Sequence, residues 1–122
     1  MKKNIFVADD NPAILDALQI MLEEDGYNVE TTIYGAKALE LKQPLPDLMF
    51  LDIWMSGIDG RDICKQLKND TTTRHIPIIL ISATKDIAKI AQDSGADDFI
   101  SKPFQMDNLL TMVSKHINKG VG

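Results

Sequence analysis

Apolar residues occur along this chain in two alternating patterns. Short runs of consecutive apolar residues, typical of strands buried on both faces of a sheet, alternate with longer segments in which apolar residues recur at helical spacing. The first pattern predicts strands at 5–8, 48–51, 76–81 and 98–101. A weaker, alternating stretch rich in valine and threonine predicts a further strand at 27–33.

A segment with helical spacing follows each predicted strand. These segments predict helices at 12–25, 36–41, 60–68, 86–94 and from 106 or 107 to just before Gly120. Asn11 and Asp59 are suitable N-caps, and Gly26 and Gly95 are suitable residues to follow a helix C-terminus.

Strands that alternate with helices predict an α/β fold with a parallel sheet covered on both faces. Right-handed crossovers place the carboxyl end of every strand at the same edge of that sheet, where such folds bind ligands. A chain of 122 residues, 44% of them hydrophobic, suffices for one core, so we expect residues 1–122 to form a single domain.

Composition narrows the range of partners. The chain has 13 Lys and Arg against 18 Asp and Glu, a net charge of −5, and its basic residues are scattered, which disfavours direct binding to nucleic acid. No apolar run reaches the length needed to span a membrane, so we expect no membrane association. The single cysteine, Cys64, has no partner for an internal disulfide and indicates a buried thiol in a cytoplasmic protein.

Polar residues with related chemistry stand where four of the five predicted strands end. They are Asp9 and Asp10 after the first strand, Asp52 after the third, Ser82 after the fourth and Lys102 after the fifth. Each has an ordinary alternative, because acids cap helices and a lysine is normally a solvated surface charge. Their common position at one edge of the sheet favours a shared site.

Three carboxylates at one edge repel each other by about 4 kcal/mol per pair at 4 Å and an effective dielectric constant near 20. They must therefore be protonated, spread apart or neutralised by a cation. Oxygen ligands without His or Cys select a hard ion, and Mg²⁺ is the expected one. A lysine and a hydroxyl beside a carboxylate nucleophile are groups that phosphoryl transfer requires.

The order of these motifs resembles the receiver domain of bacterial two-component response regulators. The resemblance covers nearly the whole chain and is carried by the following stretches: Asp9-Asp10, Leu51-Asp52 with Met55, Gly57-Asp59-Gly60, Ser82-Ala83 and Lys102-Pro103-Phe104. It implies a flavodoxin-like fold with strand order 2-1-3-4-5, of the single-domain type found in chemotaxis regulators.

The resemblance also implies a role for each site residue. Asp52 would be the phosphoacceptor and Mg²⁺ would bind to Asp9, Asp10, Asp52 and the backbone carbonyl of Trp54. Ser82 and Lys102 would contact the phosphoryl oxygens. Ser82 and Phe99 would be the switch residues, and the Lys102–Pro103 peptide bond would be cis.

The implied function is signalling by a phosphoprotein that catalyses only its own phosphorylation and dephosphorylation, and so is not an enzyme acting on a separate substrate. A histidine kinase or histidine phosphotransfer protein would donate the phosphoryl group. A downstream protein or effector domain would read the result, with the chain as a monomer or a phosphorylation-dependent dimer. Two departures from the usual pattern are Ser56, where proline is common, and the bulky Trp54.

Other interpretations remain open at this stage. The chain could be a phosphorylation-independent adaptor, although that class is expected to have lost an acid or the lysine. A magnesium-dependent aspartyl phosphatase is less favoured, because position 54 lacks the acid that such enzymes carry. Phe99 and Trp54 could be packing residues only, and we expect His75 in a loop and His116 on a helix surface, with no site at either.

Overall fold

Five strands pair in parallel in the computed structural model of the protein, which describes residues 2–55 and 57–117. Numbered along the chain within this sheet, they are β1 (Asn4–Ala8), β2 (Asn28–Thr32), β3 (Leu48–Asp52), β4 (Ile78–Ser82) and β5 (Asp98–Ser101). Their spatial order is β2-β1-β3-β4-β5. The predicted α/β class and the flavodoxin-like strand order are therefore confirmed.

The two central strands are buried along their whole length. Every residue of β3 and of β4 is buried, as the apolar runs that precede Asp52 and Ser82 predict. Alternate residues of each strand supply two separate cores, one on each face of the sheet, as Phe6 and Ile5 of β1 illustrate. Burial on both faces leaves only the strand ends to display polar groups.

Four α-helices cover the sheet: α1 (Pro12–Glu24), α2 (Gly60–Asn69), α3 (Ile87–Ser94) and α4 (Met106–Ile117). The predicted caps are confirmed, since the Asn11 side chain accepts hydrogen bonds from two N–H groups of α1 and Asp59 accepts one from Arg61 N–H. Gly26 and Gly95 have positive φ after α1 and α3. Gly120 lies outside the described residues. Within 2–55 and 57–117, no helix is both long and apolar enough to cross a bilayer.

Two local elements differ from the prediction. The segment predicted as a helix at 36–41 is a 3₁₀ helix at Gly35–Leu39, where Gly35 lies so close to Met55 and Ile58 that a Cβ would be within 2.8 Å of each side chain. Two short antiparallel strands, Trp54–Met55 and Ile58–Asp59, were not predicted, because two residues are too few to show a period.

The expectation of a surface histidine in the last helix is wrong. His116 is only 4% exposed, and its Nε2 lies 2.7 Å from Oδ2 of Asp98, the first residue of β5. The other carboxylate oxygen of Asp98 accepts a hydrogen bond from Phe99 N–H at 2.9 Å. The sequence does not show which residue His116 contacts, because its partner, the partly buried carboxylate of Asp98, is brought to it only by the tertiary structure.

Asp98 therefore contributes to stability in a pH-dependent way. Burial by itself would raise the pKa of Asp98, but the hydrogen bonds from His116 and Phe99 N–H, with the nearby charges, outweigh it and hold the pKa below its usual range. A carboxyl group with a depressed folded-state pKa stabilises the protein above its unfolded-state pKa near 4. That contribution is lost as pH falls through the folded-state value.

We predict that Asp98→Asn lowers the free energy of unfolding at pH 7 by about 1–2 kcal/mol, because a partly buried charge-assisted hydrogen bond is lost. Chemical denaturation from pH 7 down to pH 3 should show the difference from the parent shrinking below about pH 4. Asp16→Asn, at an exposed position of α1, is the control and should differ little from the parent. A penalty for Asp98→Asn that stays constant across this range would contradict the assignment.

Candidate functional site

The carboxyl edge of the sheet gathers the residues that the sequence predicts there. Asp9 and Asp10 directly follow β1, Asp52 ends β3, Ser82 ends β4 and Lys102 follows β5. One carboxylate oxygen from each of the three acids lies within 4.8 Å of the others. The structure thus brings together side chains that are 43 residues apart in sequence because parallel strands place their ends side by side.

Lys102 lies between two of the acids. Its Nζ is 3.0 Å from Oδ2 of Asp9 and 3.6 Å from Oδ1 of Asp52. The Lys102 N–H donates to the carbonyl of Ser82 at 2.9 Å, which continues the pairing of β4 with β5 beyond the last strand residue. The Lys102–Pro103 peptide bond is cis, as predicted.

The adjacent acids Asp9 and Asp10 have different surroundings. Asp9 is fully buried, whereas Asp10 is exposed. Asn11 N–H donates to Oδ1 of Asp9 at 2.9 Å. Oδ2 of Asp9 accepts no well-aligned hydrogen bond, although the ammonium of Lys102 lies close enough for an ion pair. Asp9 therefore lies at the bottom of the site, and Asp10 lies at its solvent-exposed edge.

Asp52 is the most perturbed acid of the site. It is 4% exposed, and its pKa is raised to about 6. Burial is the main cause, since it disfavours the charged form, and the charge of Asp9 adds to it. The positive charge of Lys102 lowers the pKa of Asp52, and the negative charge of Asp10 raises it further. The backbone N–H of Trp54 lowers the pKa by favouring the charged form.

This raised pKa predicts that the Asp52 carboxylate destabilises the metal-free protein at neutral pH. Between the unfolded-state pKa near 4 and the folded-state value, the folded protein holds more protons than the unfolded chain, so stability falls as pH rises through this window. We expect Asp52→Asn to increase the free energy of unfolding in EDTA at pH 7.5 by about 1–3 kcal/mol, a gain that disappears near pH 4. Chemical denaturation at several pH values measures this, and equal stability of the two proteins at pH 7.5 would contradict it.

The three carboxylates fit a hard divalent cation. All the donors are oxygens, they converge within 4.8 Å, and a buried oxygen of Asp9 accepts no aligned hydrogen bond. Mg²⁺ prefers such ligands and retains several waters. The backbone carbonyl of Trp54 stays a predicted further ligand.

Ser82 and Phe99, the predicted switch pair, lie on neighbouring strands. Ser82 is 1% exposed, and its Oγ accepts a hydrogen bond from Thr84 N–H at 3.1 Å. Its hydroxyl proton therefore remains available for donation. Phe99 is half-buried and packs against the core that includes Ile87 and Ala91 of α3.

Trp54 is not a core residue, which corrects the packing alternative for it. Its side chain is 57% exposed, and the guanidinium carbon of Arg61 lies 4.9 Å from the ring centroid. Arg61 also forms an ion pair with Asp59 at 2.6 Å. Arg61 was not predicted as a neighbour of the site, and its place two residues after the N-cap Asp59 is the only feature of the sequence that indicates the ion pair.

Cys64 takes no part in the site. Cys64 is buried, as predicted, and burial raises the pKa of its thiol to about 11, so the thiolate is scarce at neutral pH. Ser56, the unusual residue of the loop after Asp52, lies outside the described residues.

The candidate site does not coincide with the groove beside β1 and β2, so cavity volume does not locate it. This groove has a volume of about 650 Å³ and lies along β1, β2 and the segment from Glu40 to Pro46. It contains none of the predicted site residues, and acidic and basic side chains are mixed along its walls. Chemistry, rather than cavity size, points to the carboxyl edge.

Comparison with known proteins agrees with this geometry. The family model described as the response regulator receiver domain matches residues 5–114. The chain belongs to this family. Receiver domains are modules of two-component signalling systems, so the resemblance noted in the sequence is confirmed.

Individual relatives support the assignment. The chain is 39% identical over 112 residues to the DNA-binding dual master transcriptional regulator RpaA of Synechocystis, covering 89% of this chain and 46% of that protein. It is 42% identical over 106 residues to the response regulator PleD of Caulobacter vibrioides, covering 84% of this chain and 23% of that one. The chain therefore spans less than half the length of these two regulators.

Solved structures show the same fold. The receiver domain of a signal transduction histidine kinase from Syntrophus aciditrophicus superposes with a TM-score of 0.86 at 32% identity, covering 96% of this chain and 91% of that one. The likeness extends over the whole sheet and its helices, and therefore includes the edge that carries the acids.

Proposed function

We propose that the protein is a phosphoacceptor that receives a phosphoryl group on Asp52, with Mg²⁺ bound, from a histidine kinase or a histidine phosphotransfer protein. The observation that carries this proposal is the position of Asp52. Its carboxylate ends the central strand, is nearly buried, and lies 3.6 Å from Lys102 and within 4.8 Å of two further acids. Family membership supports the same chemistry.

In the proposed reaction, an oxygen of Asp52 attacks the phosphorus atom of the donor. With acetyl phosphate as donor, the new O–P bond forms as the bond from phosphorus to the acetate oxygen breaks, and acetate leaves with the electron pair. Lys102 provides positive charge beside the attacking oxygen, and the Ser82 hydroxyl provides a donor for a phosphoryl oxygen.

Asp9, Asp10 and Asp52, with the carbonyl of Trp54, would hold the metal. When bound, Mg²⁺ supplies positive charge that offsets the carboxylates and the phosphoryl oxygens. Lys102 neutralises part of the charge on Asp9 and Asp52.

The protein would act only on its own Asp52 and not turn over a separate substrate. No observation on the described residues favours the two alternatives. An adaptor that works without phosphorylation has no need of three converging acids and a lysine, and a phosphatase would need an acid where Trp54 stands. The downstream partner would be a protein or effector domain, as the greater length of the matched regulators suggests.

We predict that acetyl phosphate and Mg²⁺ add one phosphoryl group to the protein, and that Asp52→Asn abolishes the addition, because Asp52 alone is presented from the centre of the sheet. Intact-mass spectrometry measures the labelled fraction. Omitting Mg²⁺ with EDTA should suppress labelling of the parent protein.

Exposed acids are the control for this assignment. Asp16→Asn, on the surface of α1, should label as the parent does. Labelling of Asp52→Asn to the same extent as the parent would refute the proposal.

We further propose that phosphorylation changes the surface formed by α3, β5 and α4. Ser82 Oγ would turn from the N–H of Thr84 toward a phosphoryl oxygen, which opens space for the Phe99 ring to move inward. Phe99 has no hydroxyl, so its two positions would differ in burial alone, and the inward one should be populated even without phosphate.

Hydrogen exchange tests this switch. With Mg²⁺ and beryllofluoride, a mimic of the phosphoryl group, we expect altered protection in 85–104, because α3 has only eight residues and few large apolar side chains. Asp52→Asn with the same additives should show no change. Changes in the parent that stay within the segment after Asp52, with none in 85–104, would contradict the switch.

A further inference from the structure

The first residue of α2 lies directly against the backbone of the phosphoacceptor. The N–H of Gly60 donates to the carbonyl of Ile53 at 2.8 Å. A Cβ added to Gly60 would lie 2.1 Å from the carbonyl oxygen of Asp52 and 3.0 Å from its carbonyl carbon. The start of the helix and the end of β3 thus touch through main-chain atoms alone.

Such a contact cannot be relieved by rotating a side chain. The atoms that a Cβ would meet belong to the backbone, so either α2 or the end of β3 would have to move. The buried residues Ile63, Cys64 and Leu67 hold α2 against the sheet. Asp52 is the last residue of β3 and carries the carbonyl that the added Cβ would meet, so a displacement would act directly on the phosphoacceptor.

Other glycines of the described chain differ in this respect. Gly26 and Gly57 have positive φ but no atom within 4 Å of an added Cβ. Gly35 would meet only side-chain atoms, those of Ile58, Met55 and Ile63, and Gly95 would meet Lys68 at ordinary van der Waals distance. Main-chain crowding against a site residue occurs at Gly60 alone among these five.

We propose that Gly60 is a positioning residue for the phosphoacceptor: its missing side chain lets α2 approach β3 and thereby sets the position of the Asp52 carboxylate relative to Asp9, Asp10 and Lys102. The inference rests on the proposed function of Asp52. Gly60 would thus determine the geometry of the site although it has no functional group of its own.

The test compares Gly60→Ala with Gly26→Ala in the full chain. Gly26→Ala strains the backbone after α1 without adding a contact, so it controls for loss of stability. Three quantities are measured for each protein: the thermal unfolding midpoint, the Mg²⁺ midpoint from Trp54 fluorescence, and the labelling rate at saturating acetyl phosphate. All assays are run well below the unfolding midpoints.

We expect both variants to unfold at lower temperature than the parent, while only Gly60→Ala is impaired at the site. Its labelling rate at saturation should fall on the order of a hundredfold, as for a displacement of about 1 Å, and its Mg²⁺ midpoint should rise. Gly26→Ala should keep the parent's rate and Mg²⁺ midpoint. A purely structural role for Gly60 predicts instead that both variants behave alike in these two assays.

A folded Gly60→Ala with the parent's labelling rate and Mg²⁺ midpoint would overturn the inference while leaving the proposed function intact. Failure of the parent itself to label would refute the proposed function, and the Mg²⁺ midpoints would still decide on Gly60.

If Gly60→Ala does not fold, amide NMR of the parent decides. Adding Mg²⁺ should then shift the Gly60 resonance and leave that of Gly26 in place, and an unmoved Gly60 resonance would overturn the inference.

Discussion

The cost of holding acids together at the edge of a buried sheet is the constraint on which this structure depends. Like charges about 4 Å apart repel by about 4 kcal/mol at an effective dielectric constant of 20. Lys102 reduces this cost by pairing with Asp9 and Asp52, and the protonation of Asp52 that its raised pKa allows reduces it further. The strands that carry these acids must therefore be held firmly by apolar burial, as β3 is.

This arrangement separates the groups that stabilise the fold from those that make the site reactive. Asp98 is partly buried and Asp52 nearly buried, yet the pKa values of the two carboxyl groups move in opposite directions. Asp98 receives hydrogen bonds from His116 and the Phe99 N–H, which favour its charge. Asp52 faces other acids, which do not. The charged form of Asp52 is disfavoured in the metal-free protein, and a cation beside it would stabilise that form. The site is therefore suited to binding a cation.

Much of the fold and site follows from local sequence. Buried strands such as 48–51 are unbroken apolar runs, and Asp52 and Ser82 stand where those runs stop, so their meeting at one edge follows from parallel topology. The partner of His116 could not be predicted, because residues 98 and 116 meet only through the packing of α4 on β5. The role proposed for Gly60 could not be read from the sequence either: the stretch Gly57-Asp59-Gly60 marks the resemblance, but a glycine at the start of a helix has several ordinary explanations.

β5 links the site to the outer surface because its successive side chains point to opposite faces. Asp98 and Ile100 lie on the side of α4, where Asp98 binds His116 and Ile100 joins the core of that face. Phe99, between them, packs on the side of α3. The strand ends beside Lys102, which contacts two acids of the site. Under the proposed function, a phosphoryl group on Asp52 would act on β5 through Lys102 at this end, whereas the Asp98–His116 pair holds the strand at its other end. How far the surface of α3, β5 and α4 changes would then depend on the strength of the Lys102 contacts relative to that of the Asp98–His116 pair.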